Sequence, residues 1–153
     1  MKRTIATPMM TGLTAACLLP LTACSSEPDH VLGGRTWEVT AVYVDPETPG
    51  AVPGDAAGRA LIVFGAESLT ARTACAPLQA GAEIHDDTLR LKGVRVGDVN
   101  DDCIGGSRRV HEQLTGLLTE GAEFDIAHLT DDVITLKLRS DDLDRPTIKL
   151  VAQ

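Results

Sequence analysis

SRRVHEQLTGLLTEG, residues Ser107–Gly121, is the stretch whose reading decides the fold. Val110, Leu114, Leu117 and Leu118 stand at i, i+4, i+7 and i+8, the apolar stripe of a helix. Ser107 suits an N-cap, and Gly121 a C-terminal stop. His111 and Glu112 lie beside the stripe and read as solvent-facing. Arg108 and Arg109, at the helix start, read as partners of local carboxylates. No other segment beyond residue 24 carries this period convincingly.

Everything around the helix reads as strand and turn. On its N-terminal side, Arg35–Val44 alternates, with Trp37, Val39, Ala41 and Tyr43 on one face. Arg59–Phe64 is apolar enough to be buried on both faces. Glu67–Ala74 alternates Leu69 against Thr70 and Arg72, after a turn at Gly65-Ala66. Gln79–His85 and Thr88–Val96 form a hairpin around Asp86-Asp87, and the broken alternation near Gly93 marks a bulge. Gly97–Gly106 is a loop. On the C-terminal side, Glu123–Leu129, Val133–Arg139 and Thr147–Val151 are three more strands, joined at Thr130-Asp131-Asp132 and Asp141–Pro146. Five strands, one helix and three strands contain no βαβ alternation, which argues against a parallel sheet. The expected fold is mostly β: a curved antiparallel sheet or half-barrel of about eight strands, with one helix packed across its open side.

Asp45–Gly58 holds three prolines, three glycines and three acids. It is long for a connection in a small domain, so it reads as mobile or as a binding element.

The N-terminus carries an address. Lys2 and Arg3 precede an uncharged apolar stretch that ends at Leu21-Thr22-Ala23-Cys24, followed by Ser25-Ser26. This order of basic start, apolar middle and small residue before a cut fits a secretory signal, and its end resembles a bacterial lipobox. The alternative is an uncleaved transmembrane anchor. Pro8, Gly12, Pro20 and several threonines make a poor helix, and no positive stop sequence follows Cys24. The chain therefore divides into a signal peptide, 1–23; a lipidated Cys24 with a short tether, 24–31; and one domain, 32–153. The seven tether residues reach at most about 25 Å, which keeps the domain close to the extracytoplasmic face of the membrane. In lipoproteins of this kind the cysteine carries a diacylglyceryl group. Two acyl chains hold a protein stably where one does not.

Composition narrows the function. The formal charge is −8, and losing Lys2 and Arg3 makes it more negative. Nucleic-acid binding needs clustered Lys and Arg, so that class is set aside. The acidic body also argues against a second, electrostatic grip on anionic lipid. Trp37, Tyr43, Phe64 and Phe124 are the only aromatic residues, too few for a sugar-binding face built on aromatic platforms. Trp37 reads as core rather than as a ligand platform, from its place in an alternating strand. Of four cysteines, Cys17 leaves with the signal and Cys24 is taken by lipid. Cys75 and Cys103 remain, in an oxidising compartment that favours pairing. The alternative, a reactive or metal-binding thiol pair, lacks both a Cys-x-x-Cys arrangement and a histidine at ligand spacing.

Order and landmarks together resemble the META domain, also called HslJ-like. A leucine-glycine pair precedes the first-strand tryptophan, as Leu32-Gly33 precedes Trp37. A cysteine follows the third strand, as Cys75 does, although Ala76 and Pro77 replace the asparagine that usually comes next. Gly81 stands near a glycine position whose usual aromatic partner is missing. A second cysteine, Cys103, precedes the helix, and an apolar strand pair closes the domain. The resemblance covers Leu32–Val151 and implies a compact β domain, often on a lipoprotein with envelope or stress roles, and no known catalytic residues.

No catalytic constellation is legible. Gly-x-Ser-x-Gly, His-Glu-x-x-His and phosphate-loop patterns are missing, and no two of His30, His85, His111 and His128 stand at i, i+4. The acidic pairs Asp86-Asp87, Asp101-Asp102, Asp131-Asp132 and Asp141-Asp142 read as solvated turns. A calcium site around Asp98, Asn100, Asp101 and Asp102 would need oxygen ligands at a spacing this loop lacks. No metal, cofactor or catalytic residue is expected. The expected function is that of a lipid-anchored, non-catalytic binding or structural module that meets an envelope protein through its loops. A carrier of a small apolar ligand and, behind it, an enzyme are the alternatives.

Overall fold

The computed structural model describes residues 32–153. The signal segment, the tether, Cys24 and His30 lie outside them. Eight strands and one helix follow in chain order: β1 (Thr36–Tyr43), β2 (Ala60–Phe64), β3 (Ser68–Thr73), β4 (Pro77–His85), β5 (Thr88–Val96), α1 (Gly105–Leu117), β6 (Glu123–Thr130), β7 (Val133–Leu138) and β8 (Thr147–Ala152). Each strand pairs antiparallel with its neighbour. β1 also pairs with β8, so the sheet closes into a barrel with strand order 1 to 8. This is the expected mostly β class, eight antiparallel strands with one helix packed across them, and closure carries it past the half-barrel, so that α1 lies over the barrel end where β3 finishes.

The alternation of β3 and β4 sends Leu69, Ala71, Leu78, Ala80 and Ala82 inward. With Trp37, Phe64, Phe124 and the aliphatics of β5–β8 they form one continuous core, which Val110, Leu114, Leu117 and Leu118 of the helix complete. An eight-stranded barrel is narrow enough for side chains alone to fill. Trp37 is fully buried, and its indole N–H donates to the carbonyl of Leu32 at 3.1 Å.

Two strands depart from the expected faces. β1 carries an extra residue against β8 between Val39 and Ala41. The bulge shifts the inward set to Trp37, Val39 and Val42 and turns Tyr43 outward, 47% exposed. Ala41 now faces out yet stays buried, and its backbone pairs with Ala51 in a bridge. β2 is not buried on both faces: Ala60, Ile62 and Phe64 point in, and Val63 is exposed. A closed barrel has one dry face per strand, whatever the hydrophobicity of the other. The expected bulge at Gly93 is present. β5 carries one extra residue where Gln79 pairs with Arg95 and Gly81 with Lys92, and Gly93 takes φ +58°.

The helix ends also differ from expectation. Ser107 is not the cap but the third residue of α1, and its buried hydroxyl accepts from Arg59 at 3.0 Å. The N-cap is Ile104, whose side chain offers no acceptor. Asp55, from the β1–β2 connection, supplies one: its carboxylate accepts from the Gly106 N–H at 2.8 Å. At the other end the helix stops at Leu117, ahead of Gly121. Gly121, at φ +74°, instead turns the chain into β6 and donates to Leu91 O at 3.0 Å.

Candidate functional site

Asp45–Gly58 is tied down rather than free. Val42 N–H donates to Gly50 O at 2.7 Å and Val52 N–H to Thr40 O at 3.0 Å, so Gly50–Val52 lies as a short strand beside β1. Ala56 is fully buried in the core. The connection is therefore a strap from β1 to the helix N-terminus, with only its first part, Asp45–Pro49, projecting.

That projecting part builds one wall of a groove of about 530 Å³. Asp45 shapes it, its Oδ1 accepting from the N–H groups of Glu47 (3.0 Å) and Thr48 (2.8 Å). Gly50 lies flat against Tyr43. A Cβ there would sit 2.2 Å from the Tyr43 ring, so any side chain would displace the ring. The opposite wall is the β7–β8 connection, with Leu143 99% exposed at its tip. Arg145 anchors this wall, donating to Asp125 Oδ2 at 3.0 Å, while Arg139 Nε donates to Oδ1 at 2.5 Å. The Arg139 hydrogen bond holds the Asp125 carboxyl below its ordinary range against the opposing pull of desolvation, with the charge of Arg139 and then Arg145 adding to the lowering. Lys137 and Thr147 complete the groove. Tyr43, Pro46, Pro49 and Leu143 give it apolar contact area, set among the charged Asp45, Glu47, Lys137, Asp144 and Arg145.

The expected site residues scatter. Cys75 and Cys103 come together, their sulfurs 2.02 Å apart at disulfide distance and both residues buried. Around them the Gly97–Ile104 loop docks on the β3–β4 turn, with Asn100 N–H donating to Cys75 O at 3.0 Å. His111 is not turned to solvent. Its Nδ1 lies 2.7 Å from Thr73 Oγ1. Thr73 is fully buried, and the same hydroxyl bonds Ala76 N and O, bracing a turn in which Ala74 takes φ +78°. A hydroxyl sealed from solvent and committed three times over holds a turn and is not a nucleophile. Arg108 donates to Cys103 O at 3.0 Å instead of pairing with a carboxylate. His85 and His128 are exposed. Among the described residues no three His, Cys, Asp or Glu side chains gather where a metal could be held, and no helix is long and apolar enough to cross a membrane.

No protein-family model and no curated protein matches the chain. Among the solved structures that resemble it are two determined by NMR. One, of a protein from Burkholderia xenovorans, is 14% identical, covers 95% of this chain and 98% of that one, and superposes with a TM-score of 0.57. The other is 15% identical, covers 78% of this chain and 90% of that one, with a TM-score of 0.53. At these identities the likeness is one of fold.

Proposed function

We propose that this is a lipoprotein acylated at Cys24, carrying a META (HslJ-like) domain that acts as a non-catalytic binding module in the cell envelope. Its binding surface is the groove of Tyr43, Pro46, Pro49 and Leu143. The observation that carries the reading is the placement of that groove. The chain enters the barrel at Leu32-Gly33, where Gly33 bridges to Phe64, and Tyr43 stands at the far end of β1. Eight strand residues separate the two by roughly 25 Å. A tether at one end thus presents the groove at the other. The filled barrel interior favours surface recognition over the carrying of an apolar ligand. Family resemblance suggests envelope or stress roles, and the partner is taken to be an envelope protein.

The test is in-cell photo-crosslinking from Leu143 on the groove against Thr135 on the outer barrel wall, each with and without Tyr43→Ala. The proposal expects an adduct specific to Leu143 that Tyr43→Ala abolishes while the fold survives. Identical adducts from both positions would rule out the groove as the binding face.

A further inference from the structure

We infer that the outer wall formed by β3, β4 and β5 is a second membrane contact, an electrostatic one that lies against anionic lipid headgroups. The inference deepens the lipoprotein reading and rests on it. The chain as a whole is acidic, at −8, but its charge is unevenly placed. Alternation and the Gly93 bulge direct Arg72, Arg90, Lys92 and Arg95 outward on these three strands, with Glu83 the only outward acid among them. Lys92 donates to Glu83 at 2.5 Å and Arg90 turns to Glu123 at 3.6 Å. Arg72 and Arg95 make no ion pair among the described residues. Arg95 and Lys92 line a hollow floored by Gly81, and Arg72 lines a neighbouring groove toward β2.

Three further features point to a bilayer as the occupant. The neighbouring strand, β2, adds outward Leu61 and Val63, which line a shallow apolar groove with Thr70 and Arg72. A basic wall edged with aliphatic side chains suits the headgroup boundary. The tether meets the barrel at Phe64, the residue after Val63, and so at this wall's border. Finally, β4 and β8 are diametrically opposite in an eight-stranded barrel. The groove, which draws Tyr43 from β1, Lys137 from β7 and Thr147 from β8, therefore faces away when the basic wall faces the lipid. Acids on the opposite wall are screened, since the Debye length at physiological salt is about 8 Å and opposite outer walls are more than about 10 Å apart. Those at this wall's edge are Glu67, Asp86, Asp87 and Glu120, whose carboxylate accepts from the Val94 N–H at 3.0 Å.

The test places the membrane-extracted protein on phosphatidylcholine vesicles with and without about one-third phosphatidylglycerol. A reporter sits at Thr70 on the wall or at Thr135 opposite, each with native charges and with Arg72→Gln/Arg95→Gln. Flotation with neutral vesicles reads the anchor, and quencher access to the reporter reads the wall. Anionic lipid is expected to protect Thr70 but not Thr135. High salt should reverse the protection, and the double variant should lower the wall-down population about 25-fold, roughly fivefold per cation. Flotation on neutral vesicles with Thr70 equally exposed on both lipids would overturn the wall and leave the anchor standing. No flotation on neutral vesicles would remove the anchor. The wall would then be upheld by salt-sensitive flotation on anionic vesicles that the double variant loses, and overturned by its failure. Protection of Thr70 by a soluble anionic polysaccharide but not by lipid would also overturn it.

Discussion

Asp55 is where the fold account is most exposed to refutation. It sits some fifty positions before the helix whose N-terminus it serves, and its carboxylate accepts the Gly106 N–H at 2.8 Å. Losing an N-cap acceptor costs about 0.5–2 kcal/mol. The negative charge at a helix N-terminus contributes a further 0.3–1 kcal/mol or so. Because Asp55 is exposed, Asp55→Ala is expected to destabilise by about 1–2 kcal/mol. Asp55→Asn keeps an acceptor and gives up the charge, so it should cost under about 1 kcal/mol. Gly106→Ala sharpens the test. In an open helix that change gains about 1 kcal/mol. Here the new Cβ would lie 2.2 Å from Asp55 Oδ1 and 2.6 Å from Pro53 Cβ, pushing the strap off the helix, and a net loss of about 1–3 kcal/mol is expected. Urea unfolding reads all three as midpoint shifts at constant slope, and hydrogen exchange should show the Gly106 amide losing protection in Asp55→Ala. The strap would be refuted by an Asp55→Ala protein within about 0.3 kcal/mol of the parent, or by a Gly106→Ala protein more stable than it.

Leu114 is the fully buried centre of the helix stripe, and Leu114→Ala should cost about 2–5 kcal/mol by the same unfolding assay. Breaking the bridge with Cys75→Ser and Cys103→Ser, which frees a segment of 28 residues, should cost roughly 3–4 kcal/mol and loosen hydrogen exchange across Gly97–Ile104 first. Asp125 titrates below its ordinary 3.8 in the folded protein because Arg139 and Arg145 hold it. Its contribution is therefore complete above the unfolded value and is lost as pH falls through the folded one. Stability measured from about pH 5 downward should fall, and Asp125→Asn should flatten that acid limb without changing its sign.

Sequence reveals this fold where one face is dry and the other wet. Ser68–Thr73 and the Val110–Leu118 stripe announce themselves because burial alternates with the period of the element. Ala60–Phe64 hides its faces, since an apolar residue on the outer wall reads the same as one in the core. Tyr43 is misplaced by reading alone because Trp37, Val39, Ala41 and Tyr43 alternate without a break. The inserted residue shows only in the register of β1 against β8, a non-local pairing that no local pattern records. Asp55 is invisible as a cap for the same reason of distance. One sign was available: Ile104-Gly105-Gly106 offers no side-chain acceptor where the helix begins, so a cap had to come from elsewhere. The groove was half legible, through the length and composition of Asp45–Gly58. Its other wall, Leu143–Thr147, joins it only because β8 closes on β1. Net charge concealed the basic wall, although Arg72, Arg90 and Lys92 occupy outward positions that the strand period itself assigns.

The measurement that bears most directly on the central claim is the intact mass of the membrane-extracted protein, taken with and without reduction and alkylation. The account predicts a chain that begins at Cys24 and carries added lipid, with Cys75 and Cys103 alkylated only after reduction. A chain that still carries its first 23 residues, or that bears no lipid, would contradict it, as would thiols at Cys75 and Cys103 that alkylate without reductant.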